Sequence, residues 1–265
     1  MKRITIFLSL VGMAVLLFSS CTKENDMANV QVKFRTVQSS AKIARGEMSS
    51  LPETEYTSGS SLSGTGYPSG ASFVPDKFLI NIKEIEFEFE KPYPGFTGPH
   101  NCECEKDGEC EIEFEGPFLI DIASSEAMTG LLLGRFPLPS AVYEEIELDI
   151  APSRNRNNKQ INGRSVFISG TYQGKPIELW TNSKAELEIE FPGKRAVDLT
   201  QPNADMWIRI HLDRIIANLS AMDFSSAVDG NGNGIIEIGH DDQDGNNALS
   251  ATLFNSFRGS FELDD

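Results

Sequence analysis

Histidine is scarce in this chain, with only His100, His211 and His240 among 265 residues, and tryptophan is limited to Trp180 and Trp207. No G-x-S-x-G elbow, H-E-x-x-H pair or phosphate-cradling glycine loop occurs. The usual serine-hydrolase, zinc-protease and nucleotide-binding arrangements are therefore excluded by residue type. Basic residues are also few, 23 Lys and Arg against 39 Asp and Glu, a formal charge of −16. A surface this acidic does not attract nucleic acid or anionic lipid by general electrostatics, whereas cations and basic partners are compatible with it. With so little catalytic vocabulary, the chain reads as a non-enzyme.

The long apolar run is at the front. Lys2 and Arg3 precede Ile4 to Phe18, and Phe18-Ser19-Ser20-Cys21 follows. A basic start, a short apolar stretch and small residues before a cut make a secretory signal over residues 1–20. The run falls short of the ~20 apolar residues that span a bilayer. Cys21 directly after small residues resembles the bacterial lipobox, so Cys21 is the expected lipidation site, with 21–28 as a lipidated linker. Each buried acyl methylene contributes ~0.8 kcal/mol to membrane binding. Thr22-Lys23-Glu24-Asn25-Asp26 resembles the tag that sends some lipoproteins to the outer face of a Gram-negative outer membrane. Removing residues 1–20 takes away two positive charges and leaves 21 − 39 = −18 on a 245-residue mature chain.

That chain is long enough for one large β domain, and 17 Phe can fill a core. Val30, Val32 and Phe34 alternate with Gln31, Lys33 and Arg35, the period of a half-buried strand. Ser39 to Ser72 is rich in Ser, Gly and Thr and reads as a long disordered loop. Strand patterns follow around Phe78–Phe89 with a bulge near Glu84, and around Ile112–Ile122 with Gly116-Pro117 as an interruption. Others cover Val142–Ile150, Val166–Ile168, Ile177–Trp180, Ala185–Phe191 and Met206–Leu212. Many short alternating strands between turns predict a mainly β fold, an antiparallel β-sandwich over residues 29–220. Acids such as Glu145, Glu147, Glu186 and Glu188 read as the wet face of such a sheet. Asp213–Ala227 is a short helix or irregular. Leu249, Leu253, Phe257 and Phe261 are four apart, which predicts a C-terminal helix capped by Asn246 or Asn247.

Phe78-Leu79-Ile80-Asn81-Ile82-Lys83-Glu84-Ile85, Phe118-Leu119-Ile120-Asp121-Ile122, Leu138-Pro139, Tyr143-Glu144-Glu145-Ile146-Glu147-Leu148 and Asn162-Gly163 occur in that order. Over roughly residues 74–215 this resembles an uncharacterised domain family of exported bacterial lipoproteins. The resemblance implies a β-sandwich of immunoglobulin- or transthyretin-like character and supplies no activity or catalytic residue.

The sharpest chemical pattern is Asp229-Gly230-Asn231-Gly232-Asn233-Gly234-Ile235-Ile236-Glu237. Asp229, Asn231 and Asn233 fall at positions 1, 3 and 5 of an EF-hand-like loop, Gly234 at the bend, and Ile235 offers a carbonyl at position 7. Glu237 falls at 9. Position 12 is His240 where a bidentate Glu belongs, so Asp241, Asp242 or Asp244 would complete a longer loop. Two of the first three ligands are neutral, so a Ca²⁺ site here would be weak, ~10⁻⁴–10⁻³ M. The alternative is a polar Asn-Gly turn. Residues 221–265 thus hold this loop and the expected helix. Beyond Cys21, the cysteines are Cys102, Cys104 and Cys110, and export favours a disulfide of Cys110 with Cys102 or Cys104.

Three function classes are compatible with these features. The first is a lipid-anchored surface binding or adhesion module with an unknown extracellular or periplasmic partner. The second is a pilus subunit or assembly factor, with Arg45-Gly46 as a processing site. The third is a glycan-binding accessory of a nutrient-uptake system, which requires Trp180 and Trp207 on one exposed platform.

Overall fold

Period-two alternation produces two sheets whose apolar faces meet. The computed structural model describes residues 27–37, 73–196, 205–250, 253–257 and 260–263. The signal segment 1–20, Cys21, the Arg45-Gly46 pair and the Ser/Gly-rich stretch 39–72 lie outside the described residues. Twelve strands are described: β1 (Met27–Val37), β2 (Phe73–Glu90), β3 (Cys102–Cys104), β4 (Glu109–Asp121), β5 (Leu131–Pro139), β6 (Val142–Ile150), β7 (Val166–Tyr172), β8 (Lys175–Thr181), β9 (Ala185–Ala196), β10 (Asp205–His211), β11 (Ile236–Ile238) and β12 (Phe261–Leu263). Short helices α1 (Ser125–Thr129), α2 (Leu212–Ala221) and α3 (Asn247–Ser250) accompany them.

The smaller sheet has the order β12-β10-β1-β5. In the larger sheet, the long β2 pairs with β4 along one edge. Its other edge pairs with β7 along the first half and β6 along the second. β8 and β11 extend the β7 side, β3 the β4 side, and β9 the β6 side. The mainly β sandwich expected from the alternation is present, but its sheets are mixed. β1 runs parallel to β10, and β8 parallel to β11. Parallel neighbours need a crossover connection, and long stretches of chain separate each pair in sequence.

Val30, Val32 and Phe34 from the small sheet and Ile85, Phe87, Ile112, Ile146 and Leu148 from the large one are fully buried in one core. Phe87 of β2 and Phe114 of β4 meet Phe136 of β5 at ring separations of 5.6 and 4.8 Å, which ties the sheets together. Truncating Phe87 to Ala would cost about 3–5 kcal/mol through lost transfer energy and the cavity left behind. Tyr143 is also fully buried, and its hydroxyl donates to the Pro139 carbonyl at 2.7 Å, bracing the β5–β6 corner. The bulge in β2 falls between Ile82 and Glu84. It switches the inward set from Phe78, Ile80 and Ile82 to Ile85, Phe87 and Phe89, as one inserted residue must. Leu212, Ile215, Ile216 and Leu219 make α2 amphipathic and bury its inner face.

The end of the chain departs from the predicted helix. Asn247–Ser250 forms one helical turn and Leu253–Ser256 a 3-10 turn, while Phe261–Leu263 is a strand on β10. Leu253 and Phe257 still reach the core. Strand pairing, together with the bond from the His211 amide to the Ser260 carbonyl at 2.8 Å, takes the segment that helical spacing would have continued. The Asn246 side chain is not a helix cap. It donates to the carbonyls of Val228 and Glu237, both at 2.8 Å.

Candidate functional site

Each of four neighbouring strands in the large sheet carries at least three acids at alternate positions, and their register places three from each side by side. Glu115, Glu84, Asp149 and Glu186 form one row across β4, β2, β6 and β9. Glu113, Glu86, Glu147 and Glu188 form the next, and Glu111, Glu88, Glu145 and Glu190 the third. Glu103 of β3 stands opposite Glu111 and extends that third row. Strand spacing and rise set the lattice at roughly 4.8 Å across the strands and roughly 7 Å along them. The residues between these acids, such as Ile85, Phe87, Ile112, Ile146 and Ile189, are buried, which fixes the acids on the outer face.

Like charges directly opposite one another destabilise a sheet, and proton affinities register the crowding. Partial burial first, then the charges of Glu111 and Glu147, push Glu86 up to about 8. Burial, followed by Glu88 and Glu188, pushes Glu145 up to about 7. Glu88, Glu113 and Glu147 are raised for the same reasons, burial being the largest in each case. Lys83, at the bulge, lies 2.8 Å from Asp149 and 3.6 Å from Glu84 at one margin of the lattice.

The other half of the same outer face is covered. Leu79, Ile161, Phe167 and Trp180 form a second apolar cluster. The Arg164 guanidinium lies 4.0 Å from the centre of the Trp180 ring. Asn81 is buried there, its amide donating to the Ala151 carbonyl at 2.8 Å. The loop between β6 and β7 thus closes one half of the face, whereas among the described residues the acids of the other half are half-buried or exposed.

In the Asn-Gly segment, both Asp229 carboxylate oxygens accept from the loop's own backbone, Oδ1 from the Asn233 amide at 3.0 Å and Oδ2 from the Gly234 amide at 2.9 Å. Asn231 Oδ1 also accepts from the Asn233 amide, and Asn233 Oδ1 from the Ile235 amide. Gly234 has φ +87°, a conformation that strongly favours glycine. Glu237 accepts from the Asn231 side-chain amide at 2.7 Å. Asp241 is directed away, accepting from Trp180 Nε1 at 2.7 Å and lying 3.6 Å from His240 Nε2. Asp244 is buried and accepts from the amides of Asn231 and Glu237 at 3.0 and 2.7 Å. Asp229, Asn231, Asn233 and Glu237 are thus brought into one turn and Asp241 is not. Among the described residues, no three His, Cys, Asp or Glu side chains group as a metal cluster.

Cys104 and Cys110, direct cross-strand partners, form a disulfide, and Cys102 keeps its thiol. Beside this disulfide is a cavity of about 290 Å³ walled by Glu88, Glu103, Glu105, Glu109, Glu111 and Glu144. Burial, then the charge of Glu111, raises the proton affinity of Cys102.

No family model, curated protein or solved structure matches this chain. The site therefore rests on its own geometry. Trp180 is buried against Arg164, whereas Trp207 lies in the smaller sheet with Lys33 Nζ 5.1 Å from its ring centre. The two tryptophans do not share a platform. No helix among the described residues is long and apolar enough to cross a membrane. The carboxylate lattice is not apparent as a unit in the sequence. The signal that could have located it is the repeat of acid-x-acid-x-acid in four strands flanked by the same inward aliphatics.

Proposed function

We propose that this protein is a lipid-anchored, non-enzymatic binding module of the cell envelope that presents its carboxylate lattice to a cationic partner. One observation carries this reading: twelve acids aligned in three rows on one half of a sheet face, half-buried or exposed among the described residues. A surface that stores like-charge repulsion gains most from a partner that brings positive charge. An extended basic polypeptide with Lys or Arg at alternate positions repeats every ~7 Å and matches the spacing along the strands. The resemblance to exported lipoproteins and the Cys21 signal pattern support placement at the outer membrane, facing the cell surface.

The test is a binding titration of labelled oligolysine and oligoglutamate peptides against the purified mature protein. Binding of oligolysine alone, abolished at high salt, is the expected result. Replacing Glu86, Glu113, Glu147 and Glu188 together by Gln should weaken it about tenfold or more. Unchanged affinity in that variant removes the lattice from the account. Mass spectrometry of the mature N-terminus checks the anchor independently: an unmodified Cys21 would remove it.

A calcium role for the Asn-Gly loop is the second reading, favoured by the oxygens of Asp229, Asn231 and Asn233 being gathered about one turn. Millimolar Ca²⁺ is then expected to raise the melting temperature relative to chelator, and equal melting in both would remove it.

A further inference from the structure

The three cysteines of the mature domain lie on one small hairpin at the rim of the large sheet. In the register of β3 with β4, Cys104 faces Cys110 and Cys102 faces Ile112. Residues two apart on a strand point to the same side, so Cys102 and Cys104 share a face. Cys110 is across from one and diagonal to the other. We propose that Cys102, Cys104 and Cys110 are an exchanging set, in which the Cys102 sulfur displaces Cys104 from Cys110 and the hairpin carries either of two cross-links.

The step is balanced within the chain. Cys102 loses its proton, and its sulfur forms a bond to Cys110 Sγ as the Cys104–Cys110 bond breaks. Cys104 leaves as thiolate and takes up a proton. One disulfide and one thiol exist before and after, so no oxidant or reductant is consumed. This is the ordinary course of thiol–disulfide exchange. Diagonal cross-strand residues are ~7–8 Å apart at Cα, with Cβ atoms somewhat closer, and a disulfide needs Cβ atoms at ~3.8 Å. Exchange therefore requires β3 to open its ladder with β4 and slide by a few ångströms, so that the Cys102 sulfur comes in line with the Cys104–Cys110 bond. β3 is three residues long and, among the described residues, pairs only with β4. Beyond that ladder, the Glu105 amide donates to the Glu109 carbonyl at one end, and at the other the Glu113 amide donates to the Asn101 carbonyl, the Asn101 side-chain amide to the Glu113 carbonyl and the Cys102 amide to the Pro99 carbonyl. A short rim strand of this kind opens locally at a small fraction of the global unfolding free energy.

The two cross-links differ in which thiol they present. Cys102 is half-buried and packs against the core. Cys104 is exposed and lines the carboxylate-walled cavity. Exchange therefore moves the thiol from a sheltered position to the cavity wall, where Glu103, Glu105 and Glu109 disfavour anionic thiol partners and admit neutral or cationic ones. This device is independent of the binding role of the lattice.

Protein extracted from membranes of expressing cells is first blocked with iodoacetamide. It is then reduced, labelled with N-ethylmaleimide and mapped by peptide fragmentation. The first label is expected on Cys102 in some molecules and on Cys104 in others, with Cys110 carrying only the second. First label confined to Cys102 overturns the proposal. The C104S variant is expected to close a Cys102–Cys110 bond, leaving no reactive thiol among these residues, as C102S does with the original pair. A natively folded C104S protein that keeps both remaining thiols also overturns it. If C104S does not fold, the wild-type labelling decides alone.

Discussion

Two regions of this molecule are rich in acids and use them in opposite ways. In the 229–247 segment, carboxylate oxygens face backbone amides: Asp229 takes two, Asp244 two, and Asp242 those of Gly239 and Asn246. In the sheet lattice, carboxylates face one another across strands. The first arrangement satisfies orphan amides in a stretch with little regular structure, so its charge holds the chain in place. The second meets one cation, Lys83, at its margin and is otherwise carboxylate against carboxylate, and the apolar residues beneath it offset its repulsion. Acidic composition alone cannot separate these cases. The hydrogen-bond partner of each carboxylate does.

This contrast is testable at the loop first, where the largest effect is expected. Replacing Asp244 by Ala leaves the Asn231 and Glu237 amides without their buried acceptor and should cost about 3 kcal/mol in urea denaturation. A loss near zero would put this carboxylate in the same category as the lattice acids. The next effect belongs to the joint between the loop and the covered half of the sheet. Trp180→Phe keeps the apolar ring under Arg164 but removes the indole donor to Asp241. A loss of about 1.5 kcal/mol is expected from the missing bond and the vacated volume. The same assay checks it, with Asp241→Asn expected to lose less because the amide oxygen still accepts.

Much of the fold was legible because the core is written in period two. The alternation in β1, β6, β9 and β10 fixed which residues face inward, and the change of phase near Glu84 located the bulge. What alternation does not encode is the partner of each strand. The parallel pairings of β1 with β10 and β8 with β11 depend on contacts between residues far apart in the chain. The C-terminal stripe was misleading for a related reason: Leu253 and Phe257 are buried as expected, yet the edge of β10 captures Phe261–Leu263. For the site, each acid-x-acid-x-acid run was visible as a wet strand face. Its meaning lies in the register, which brings four such runs into common rows, and register is a tertiary fact. The Asn-Gly segment was legible as a turn of clustered oxygens, while the engagement of Asp241 by Trp180, 61 positions away, was not.

The smallest expected effect bears on the lattice itself and has the opposite sign to the first two. Glu86 is pushed up to about 8 in the folded protein by burial and by Glu111 and Glu147, against an unfolded value near 4.5. A carboxyl raised in this way destabilises the fold once it is ionised above pH 8 and imposes no penalty below about pH 4.5. Between those values the folded chain holds the extra proton, so stability rises as pH falls through the window. Glu145, raised to about 7, contributes in the same direction. Glu86 is only partly buried, so solvent and salt screen most of the repulsion and about 1 kcal/mol remains at low ionic strength. Glu86→Gln should therefore stabilise the protein by about 1 kcal/mol at pH 8, with the difference from wild type fading towards pH 5 and shrinking in high salt. Urea melts of both proteins across that range decide it. A variant less stable than wild type at pH 8 would mean that Glu86 has a favourable partner, and that the lattice, like the loop, uses its charge to hold the structure together.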